Sequence, residues 1–573
     1  HLSLRRQRQM CIRDRDSTMT SKQSFSSSDI TSQSGYFSAL KATVETAFYG
    51  ENVKQVTTIA QAYALAKTAP GVIITDLPIK HTPELGLPPD AKVLVANDGR
   101  VVGRTAAARQ IIGQPDVDET KLAAIAREAV FLGSRKTFLR GDVTVGLSSD
   151  FAIKAHLMLP EAYANNLYTY LLNFQIDTPQ RNAEYEQSRP LPEDDIYLYA
   201  DPDWHDPAYP NGLAVFDPTH NAAIVLGLRY FGELKKGTLT LAWATAHRNG
   251  FVACHGGMKQ YTRQDGDFTM AAFGLSGSGK STITLASHGD QYPVKVLHDD
   301  AFVIDRQTGA TTALEPSYFD KTQDYPLSDP GIQYFLTVQN VGVTLDAAGK
   351  KTLVTQDIRN GNGRTVKSRY VTPNRVDHLT ESIDAIFWIM KDDTLPPVVK
   401  LEDPDLAAAF GVTLATKRST AENVIGDVDR DHLVIEPFAN PFRSYPLGED
   451  YQDFHQLFEQ RQTACYILNT GSYNGQNVKP ADTLGAIAKI VDETAAFKPF
   501  GLLPKMRYLP LSGFNVDFGD NDYRARLRQR LEDRLAFIAT KDVDHDGYDR
   551  LPIDASRALE DVIAALDQQA AAM

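Results

Sequence analysis

No run of apolar residues in this sequence reaches the about 18 that a membrane-spanning helix needs, so no such span is expected. Cysteine is scarce too: Cys11, Cys254 and Cys465 are the only three in 573 residues. Three scattered thiols form neither a disulfide framework nor metal-knuckle spacing, which points to a reducing compartment and a cytoplasmic protein. Positive charge is in deficit, with 59 Lys and Arg against 72 Asp and Glu and a formal net charge of −13. That balance argues against nonspecific binding to nucleic acid or to a membrane surface. It leaves room for an anionic small molecule in a locally basic pocket. No internal repeat is present.

What is there reads as a globular α/β chain. Hydrophobic residues make up 42% and charged residues 23%, the balance of a soluble globular protein. At 573 residues the chain is too long for one ordinary core, so at least two domains are expected. The pattern changes near residue 250, which predicts an N-terminal mixed α/β domain over 36–250 and a second α/β domain over 251–573. Residues 1–35 stand outside both. His1 to Asp16 carries Arg5, Arg6, Arg8, Arg13 and Arg15 but no apolar centre, so it does not read as a secretory signal. It resembles translated sequencing-adapter DNA, and Met19 is the expected start. A mitochondrial transit peptide is the alternative, weakened by Asp14 and Asp16. Residues 17–35, rich in Ser, Thr and Gln, are expected to be disordered. Residues 36–70 read as helices, 92–115 as alternating strand and turn, and 143–250 as short β-rich runs between Pro/Asp loops. The C-terminus reads as amphipathic helix, with Leu559, Val562, Ile563 and Leu566 on one face.

The most informative stretch is the apolar run 268–273 followed by Gly274, Leu275, Ser276, Gly277, Ser278, Gly279, Lys280, Ser281 and Thr282, then a helix-compatible segment. Gly-x-x-x-x-Gly-Lys-Ser between a strand and a helix is the setting of a phosphate-binding loop. Its glycines let backbone N–H groups turn inward onto phosphate oxygens. Lys280 can neutralise the outer phosphates, the Ser281 hydroxyl can ligate magnesium, and the helix start faces the same anion. The next strand, 293–297, ends in His298, Asp299 and Asp300, where a carboxylate commonly holds the nucleotide-bound metal. Two turn aspartates after a strand are the plainer reading of that pair. Upstream lie Arg229, Tyr230, Glu233, Lys235, Lys236 and Gly237, with His255 nineteen residues after Lys236. Taken singly, a Lys–Lys pair is usually solvated surface and a lone His is usually structural.

Together, in this order and spacing, these residues resemble the ATP-dependent phosphoenolpyruvate carboxykinase family. The family has Tyr-x-Gly-Glu-x-Lys-Lys-Gly, a His nineteen residues beyond the second Lys, Gly-Leu-Ser-Gly-Thr-Gly-Lys-Thr-Thr, and a strand ending Asp-Asp. Further parallels are Gly103-Arg104-Thr105, Glu315 to Thr322, Asp329-Pro330, Ser368-Arg369 to Pro373, Leu395 to Leu401, Phe438 to Phe442, Asn469 to Gly471 and Asp482-Thr483. The resemblance covers about residue 95 to 500. It implies a two-domain carboxykinase-like fold, with an N-terminal substrate-binding domain and a C-terminal P-loop nucleotide-binding catalytic domain. The implied reaction converts oxaloacetate and ATP to phosphoenolpyruvate, carbon dioxide and ADP, as in gluconeogenesis. It also implies one Mg2+ on the nucleotide and one Mn2+ joining substrate to phosphate, the latter held by Lys236, His255 and Asp300. Lys236 would ligate as the neutral amine, its proton lost to the metal and to neighbouring cations such as Lys235. Arg104, Tyr230 and Ser276 would face the substrate, and Arg369 would bridge it to the γ-phosphate. Asp329 and Thr483 would serve the nucleotide, and residues around 391–402 and 414–422, with Lys417 and Glu422, would form a lid. The implied partners are these small molecules alone, on a monomer, with a homo-oligomer as the alternative.

The chain also departs from the family pattern. Ala301 and Phe302 replace the residues expected after Asp-Asp, and the loop after Arg104 ends in Arg109 without the family's lysines. An arginine expected six residues before Thr483 is Asn477, with Lys479 nearby. Two other functions stay open: a P-loop kinase for another acceptor, and a non-catalytic nucleotide sensor, which would be expected to lack His255 or Asp300. Separately, Asp542, Asp544, Asp546 and Gly547 match the start of a calcium loop, but Ile553 stands where its bidentate Glu belongs, so an Asp-rich turn is the expected reading.

Overall fold

The structure is a computed structural model that describes residues 38–97, 108–356, 362–417 and 433–573. The fold is mixed α/β, and the described residues group into two units. One takes in the chain up to Asn249 together with Ala313–Pro373; the other takes Gly250–Thr312 and the chain from Asn374 onward.

The first unit is built on a mixed sheet ordered Val53–Gln55, Phe138–Val145, Ile153–Pro160, Ile196–Asp201, Ala222–Leu226, Leu213–Asp217 and Arg109–Ile111. Its central strands Ile196–Asp201 and Ala222–Leu226 are buried along their whole length, as expected for strands covered on both faces. Helix Phe231–Arg248 covers them, buried on almost every side. Gly237 lets that helix lie close, because a Cβ there would meet Phe216 and Leu198 at 3.2 and 3.3 Å. A second sheet runs Tyr318–Lys321, Arg364–Lys367, Phe335–Gln339, Lys92–Ala96 and Val72–Pro78. The helical expectation for 36–70 holds for Ala39–Ala47 and Ile59–Ala66, each capped by a preceding hydroxyl, Ser38 or Thr58. Between them Val53–Gln55 is a strand, added in parallel to Phe138–Val145, so sheet pairing outweighs local pattern there.

On the solvent-poor side of this sheet, His156 lies opposite Asp142 in register. Its Nδ1 meets Asp142 Oδ1, and its Nε2 lies 2.9 Å from Asp195 Oδ2. Burial opposes the imidazolium, but the hydrogen bonds to Asp142 and Asp195 outweigh it and raise His156 to about 9. A folded pKa above the unfolded value of about 6.5 means stabilisation that is complete below pH 6.5 and lost as pH rises through 9. Urea midpoints measured from pH 6 to 10 should therefore fall across that window, and His156→Gln should remove this component of the slope.

The second unit centres on a sheet ordered Val294–His298, Gly257–Tyr261, Phe268–Phe273, Ala385–Met390, Ala464–Asn469, Val398–Leu401, Met506–Tyr508 and Lys498–Pro499. Phe268–Phe273, Ala385–Met390 and Ala464–Asn469 run parallel, with antiparallel strands on both sides. A smaller sheet joins Phe251–His255 to Ala301–Asp305, Thr311–Ala313 and His378–Leu379. The expected lid over 391–402 is not one. Val398–Leu401 is a strand hydrogen-bonded on both edges, with Val398, Val399 and Leu401 buried, and such a segment cannot swing. Glu422 lies outside the described residues, and for Lys417 only its backbone, in strand Ala415–Lys417, is described.

Two long helices, Asn521–Thr540 and Ile553–Ala572, close the chain. The second buries Ala555, Leu559, Val562 and Leu566; these steps of four, three and four place Ile563 at the edge of the seam, only half-buried. From the first, Arg534, 2% exposed, reaches inward to Asp392 Oδ2 at 2.8 Å and to the Thr413 carbonyl. In the Asp-rich turn, Asp549 accepts from the backbone N–H of Leu447, the first residue of helix Leu447–Gln460, and Asp542 lies 3.6 Å from Arg550. These are the bonds of a structural turn.

Candidate functional site

In the second unit the phosphate-loop sequence folds as expected. Strand Phe268–Phe273 leads into a turn and then helix Lys280–Leu285. Gly277 and Gly279 take φ of 83° and 94°, which a side chain would resist. Gly274 is needed for another reason: a Cβ there would stand 2.4 Å from Ser278 Oγ. That Ser278 hydroxyl is buried and without a hydrogen-bond partner, while its carbonyl accepts from Thr470 Oγ1 at 2.7 Å. Leu275 is buried, and Ser276, Ser281 and Thr282 are exposed, so the loop presents hydroxyls and backbone outward. The helix is only six residues long, which gives it little macrodipole. Backbone N–H groups and Lys280 must supply most of any hold on an anion.

The two aspartates are presented by a buried histidine. His298, fully buried, accepts through Nδ1 from the N–H of Asp300 at 2.9 Å and of Ala301 at 3.1 Å. This tightens the turn between Val294–His298 and Ala301–Asp305. Asp299 then accepts from Ser281 Oγ at 3.2 Å, tying the strand end to the phosphate loop. Asp300 points to the other neighbours. Its Oδ1 lies 2.9 Å from His255 Nε2 and 3.8 Å from Lys280 Nζ. The pairing is set by sheet register: His255 stands opposite Ala301, and the N–H of Gly256 donates to the Asp300 carbonyl at 3.0 Å.

The other ring nitrogen of His255 donates to the Ala439 carbonyl, which leaves Nε2 turned toward Asp300. A ligating imidazole is usually held this way, by a carbonyl behind it. That carbonyl is aimed by two consecutive left-handed residues, Phe438 and Ala439, at φ of 52° and 54°. Their placement is sustained by the Phe438 ring, stacked on Phe454 at 4.4 Å, and by Phe442 edge-on to His255 at 5.4 Å. His255 and Asp300 thus offer a nitrogen and an oxygen side by side, a donor pair suited to a divalent transition metal. Thr483 is buried in helix Pro480–Val491, and Asn477 and Lys479 are exposed beside it.

In the first unit Tyr230 sits at the start of helix Phe231–Arg248, its ring 6.1 Å from that of Phe319. Gly232 makes room for that ring, since a Cβ would come within 2.4 Å of it. Glu233, one turn on, is buried and pairs with Arg109 at 2.8 Å. Burial pushes the Glu233 carboxyl up, and Arg109 opposes the shift. Arg109, which ends the loop that departs from the family pattern, therefore anchors the helix that carries Lys236. Lys236 is half-buried, while Lys235 is wholly buried against Glu315 at 3.0 Å. The expectation that Lys235 helps deprotonate Lys236 needs correcting, because its charge is already matched by that carboxylate. Arg369 opens the single turn Arg369–Val371 and is half-buried. Asp329 caps Pro330–Tyr334, accepting from the Gly331 N–H at 2.7 Å. Arg104 lies outside the described residues.

Among the described residues no helix is long and apolar enough to cross a membrane. Cys254 and Cys465 are free and buried. Sequence reasoning did not single out His298, Thr470 or the Ala439 carbonyl. The first is visible only as the residue before Asp-Asp; the other two lie in segments that parallel the family, Phe438 to Phe442 and Asn469 to Gly471, but their contacts are with sequence-distant residues that no local pattern announces.

The chain is similar to the phosphoenolpyruvate carboxykinase (ATP) of Aeropyrum pernix, 25% identical over 304 residues, covering 51% of this chain and 60% of that protein. It is also 25% identical to the proteins of that name from Dictyostelium discoideum, over 210 residues, and Candida glabrata, over 230. Those two matches cover 33% and 35% of this chain and 36% and 38% of the relatives. The chain thus spans about 60% or less of the length of these relatives. The family model for phosphoenolpyruvate carboxykinase matches residues 92–498, well over half of the sequence, and the chain belongs to the phosphoenolpyruvate carboxykinase family.

Proposed function

We propose that the chain is an ATP-dependent phosphoenolpyruvate carboxykinase, converting oxaloacetate and ATP to phosphoenolpyruvate, carbon dioxide and ADP. The observation that carries this reading is the meeting of His255, Asp300, Lys280, Ser281 and Asp299 at adjoining strand ends, inside the segment matched by the family model. Residues 36–250 are read as the substrate-binding domain and 251–573 as the P-loop catalytic domain, except that Ala313–Pro373 groups with the first of these. The protein is read as cytoplasmic, acting on small molecules as a monomer, with a homo-oligomer as the alternative.

In this reading Gly274 to Thr282 wrap the triphosphate with backbone N–H groups, and Lys280 neutralises its outer oxygens. The orphaned Ser278 hydroxyl adds a donor inside the loop. Ser281 and Asp299 would hold Mg2+ on the nucleotide; Lys236, His255 and Asp300 would hold Mn2+, whose role is Lewis-acid stabilisation of the charge that develops on the enolate oxygen. Arg104, Tyr230 and Ser276 are assigned to the substrate, whose carboxylate is a planar acceptor that suits a guanidinium fork. Loss of carbon dioxide leaves the electron pair on the enolate. Its oxygen then bonds to the γ-phosphorus as the bond to ADP breaks, with Arg369 offsetting the charge between them. Asp329 and Thr483 are assigned to the nucleotide. The test is to follow phosphoenolpyruvate from oxaloacetate with manganese and with ATP, GTP or pyrophosphate as donor; absence of product with every donor would overturn the reading.

The base contact is the weakest part of the pattern, since Asn477, exposed, stands where an arginine is expected. The triphosphate grip is intact, so discrimination rather than affinity should suffer. Kinetics with ATP, GTP and ITP should give an adenine preference smaller than roughly tenfold in kcat/KM, about 1.4 kcal/mol. Strict adenine selectivity would mean that a neighbour such as Lys479 makes the contact.

A further inference from the structure

Lys259 has no part in the chemistry above, yet it is 0% exposed in the middle of strand Gly257–Tyr261. A buried ammonium is costly unless its donors are met. Among the described residues no carboxylate lies within ion-pair distance of it; its Nζ donates to two backbone carbonyls, Ile283 at 2.5 Å and Ala286 at 2.9 Å. These belong to the last turn of helix Lys280–Leu285 and the residue after it. The carbonyls at a helix end lack partners within the helix, and a cation there is favourably placed. The strand presses directly on the same helix: a Cβ at Gly257 would stand 1.9 Å from Thr284 Oγ1. Thr284 in turn donates to the Lys280 carbonyl at 2.8 Å.

Resting on the phosphate-loop reading, we propose that Lys259 is a positioning residue for the loop: it clamps the C-terminal carbonyls of helix Lys280–Leu285 and thereby fixes Lys280 and Ser281 at the other end. Six residues span only about 9 Å, and a helix that short has little stability of its own, so an anchor at one end sets the position of the other. Lys259 pairs with Met270 in register, so the clamp is built on the strand next to the one that feeds the loop. Its other titratable neighbours are uncharged. The Tyr261 ring lies 4.5 Å from Nζ, and the Tyr261 hydroxyl meets His288 Nε2 at 2.8 Å. Burial raises Tyr261 above the usual phenol range; burial and then Lys259 lower His288. Burial also pushes Lys259 itself down to about 7. Even as the neutral amine it keeps two N–H groups, enough for both carbonyls.

The test compares wild type, Lys259→Met, which removes the donors and keeps the volume, and Lys259→Arg, which keeps donors. Amide hydrogen exchange is read in the unliganded protein, together with ATP affinity. The expected result is exchange at least about tenfold faster over 280–286 in Lys259→Met, unchanged exchange over 268–273, and restoration by arginine. ATP binding should weaken about tenfold in parallel. Unchanged exchange over 280–286, equal acceleration over 268–273, or no restoration by arginine would each overturn the clamp. If Lys259→Met does not fold, Lys259→Gln, whose shorter side chain keeps one donor group, should still accelerate exchange over 280–286, and unchanged exchange there would overturn the clamp. A wild-type chain that binds no ATP would overturn the proposed function, while the exchange data would still decide the clamp.

Discussion

A Lys280→Ala chain loses phosphoryl transfer and most of its affinity for the triphosphate. In the proposed reading the loop would surround the phosphates mainly with backbone N–H groups, and the helix behind it is too short to add much field. Lys280 is the one cation of the loop, and its Nζ already lies 3.8 Å from Asp300, at the corner where metal and phosphate would meet. Removing a group aimed at charge that develops in the transition state costs roughly 10²–10³ in turnover, and the loss here should be at the upper end or beyond, because ground-state binding falls as well. The Lys280 side chain is 11% exposed, but its ion pair with Asp300 is long, at 3.8 Å, so the fold should change by about 1 kcal/mol or less. Steady-state turnover, nucleotide titration and a urea midpoint measured on one preparation separate these effects. Wild-type-like turnover would remove the phosphate loop from the mechanism.

The second large effect is on metal. His255→Ala and Asp300→Asn should each weaken manganese binding at least roughly 100-fold, more than the 10–100-fold known for groups that merely support a ligand. The two variants differ usefully. Asn keeps the shape of Asp300 and the turn made by His298, and removes only charge. Ala removes the imidazole and leaves the Ala439 carbonyl without its donor, a cost of about 1–3 kcal/mol at most. Both should therefore fold, and both should lose turnover far more than stability. Manganese titration that finds unchanged affinity in both variants would show that the ligand assignment is wrong.

The site was legible wherever chemistry follows chain order. The phosphate loop could be read from glycine spacing, and Asp299 and Asp300 from their place after the next strand, because strand, turn and helix are local. The approach of His255 to Asp300 then follows from sheet register, and the hydrogen bond from Ser281 to Asp299 from the helix packed beside the strand end, neither of which the sequence states. Lys259 was illegible for a physical reason. In Gly257–Tyr261 a lysine between Met258 and Gln260 reads as a solvent-facing position, and only the short helix laid over the strand turns it inward. The lid that the resemblance implies at 391–402 does not hold, because Val398–Leu401 completes a sheet whose partners lie far along the chain, at Ala464–Asn469 and Met506–Tyr508. Lys235 was misjudged likewise: no spacing rule reveals Glu315 waiting in the interior.

Arg534 carries a lesson about modularity. The family match stops at residue 498, which invites treating the last helices as an appendage. Yet a guanidinium from that appendage neutralises Asp392, which lies just beyond the end of a central parallel strand, Ala385–Met390, and Leu559, Val562 and Leu566 are buried from the last helix. A chain cut at the edge of the match would leave a carboxylate stranded in the interior and an apolar face bare to water. The border of the family match is therefore not a border of packing: the helices beyond residue 498 are built into the second unit of this chain.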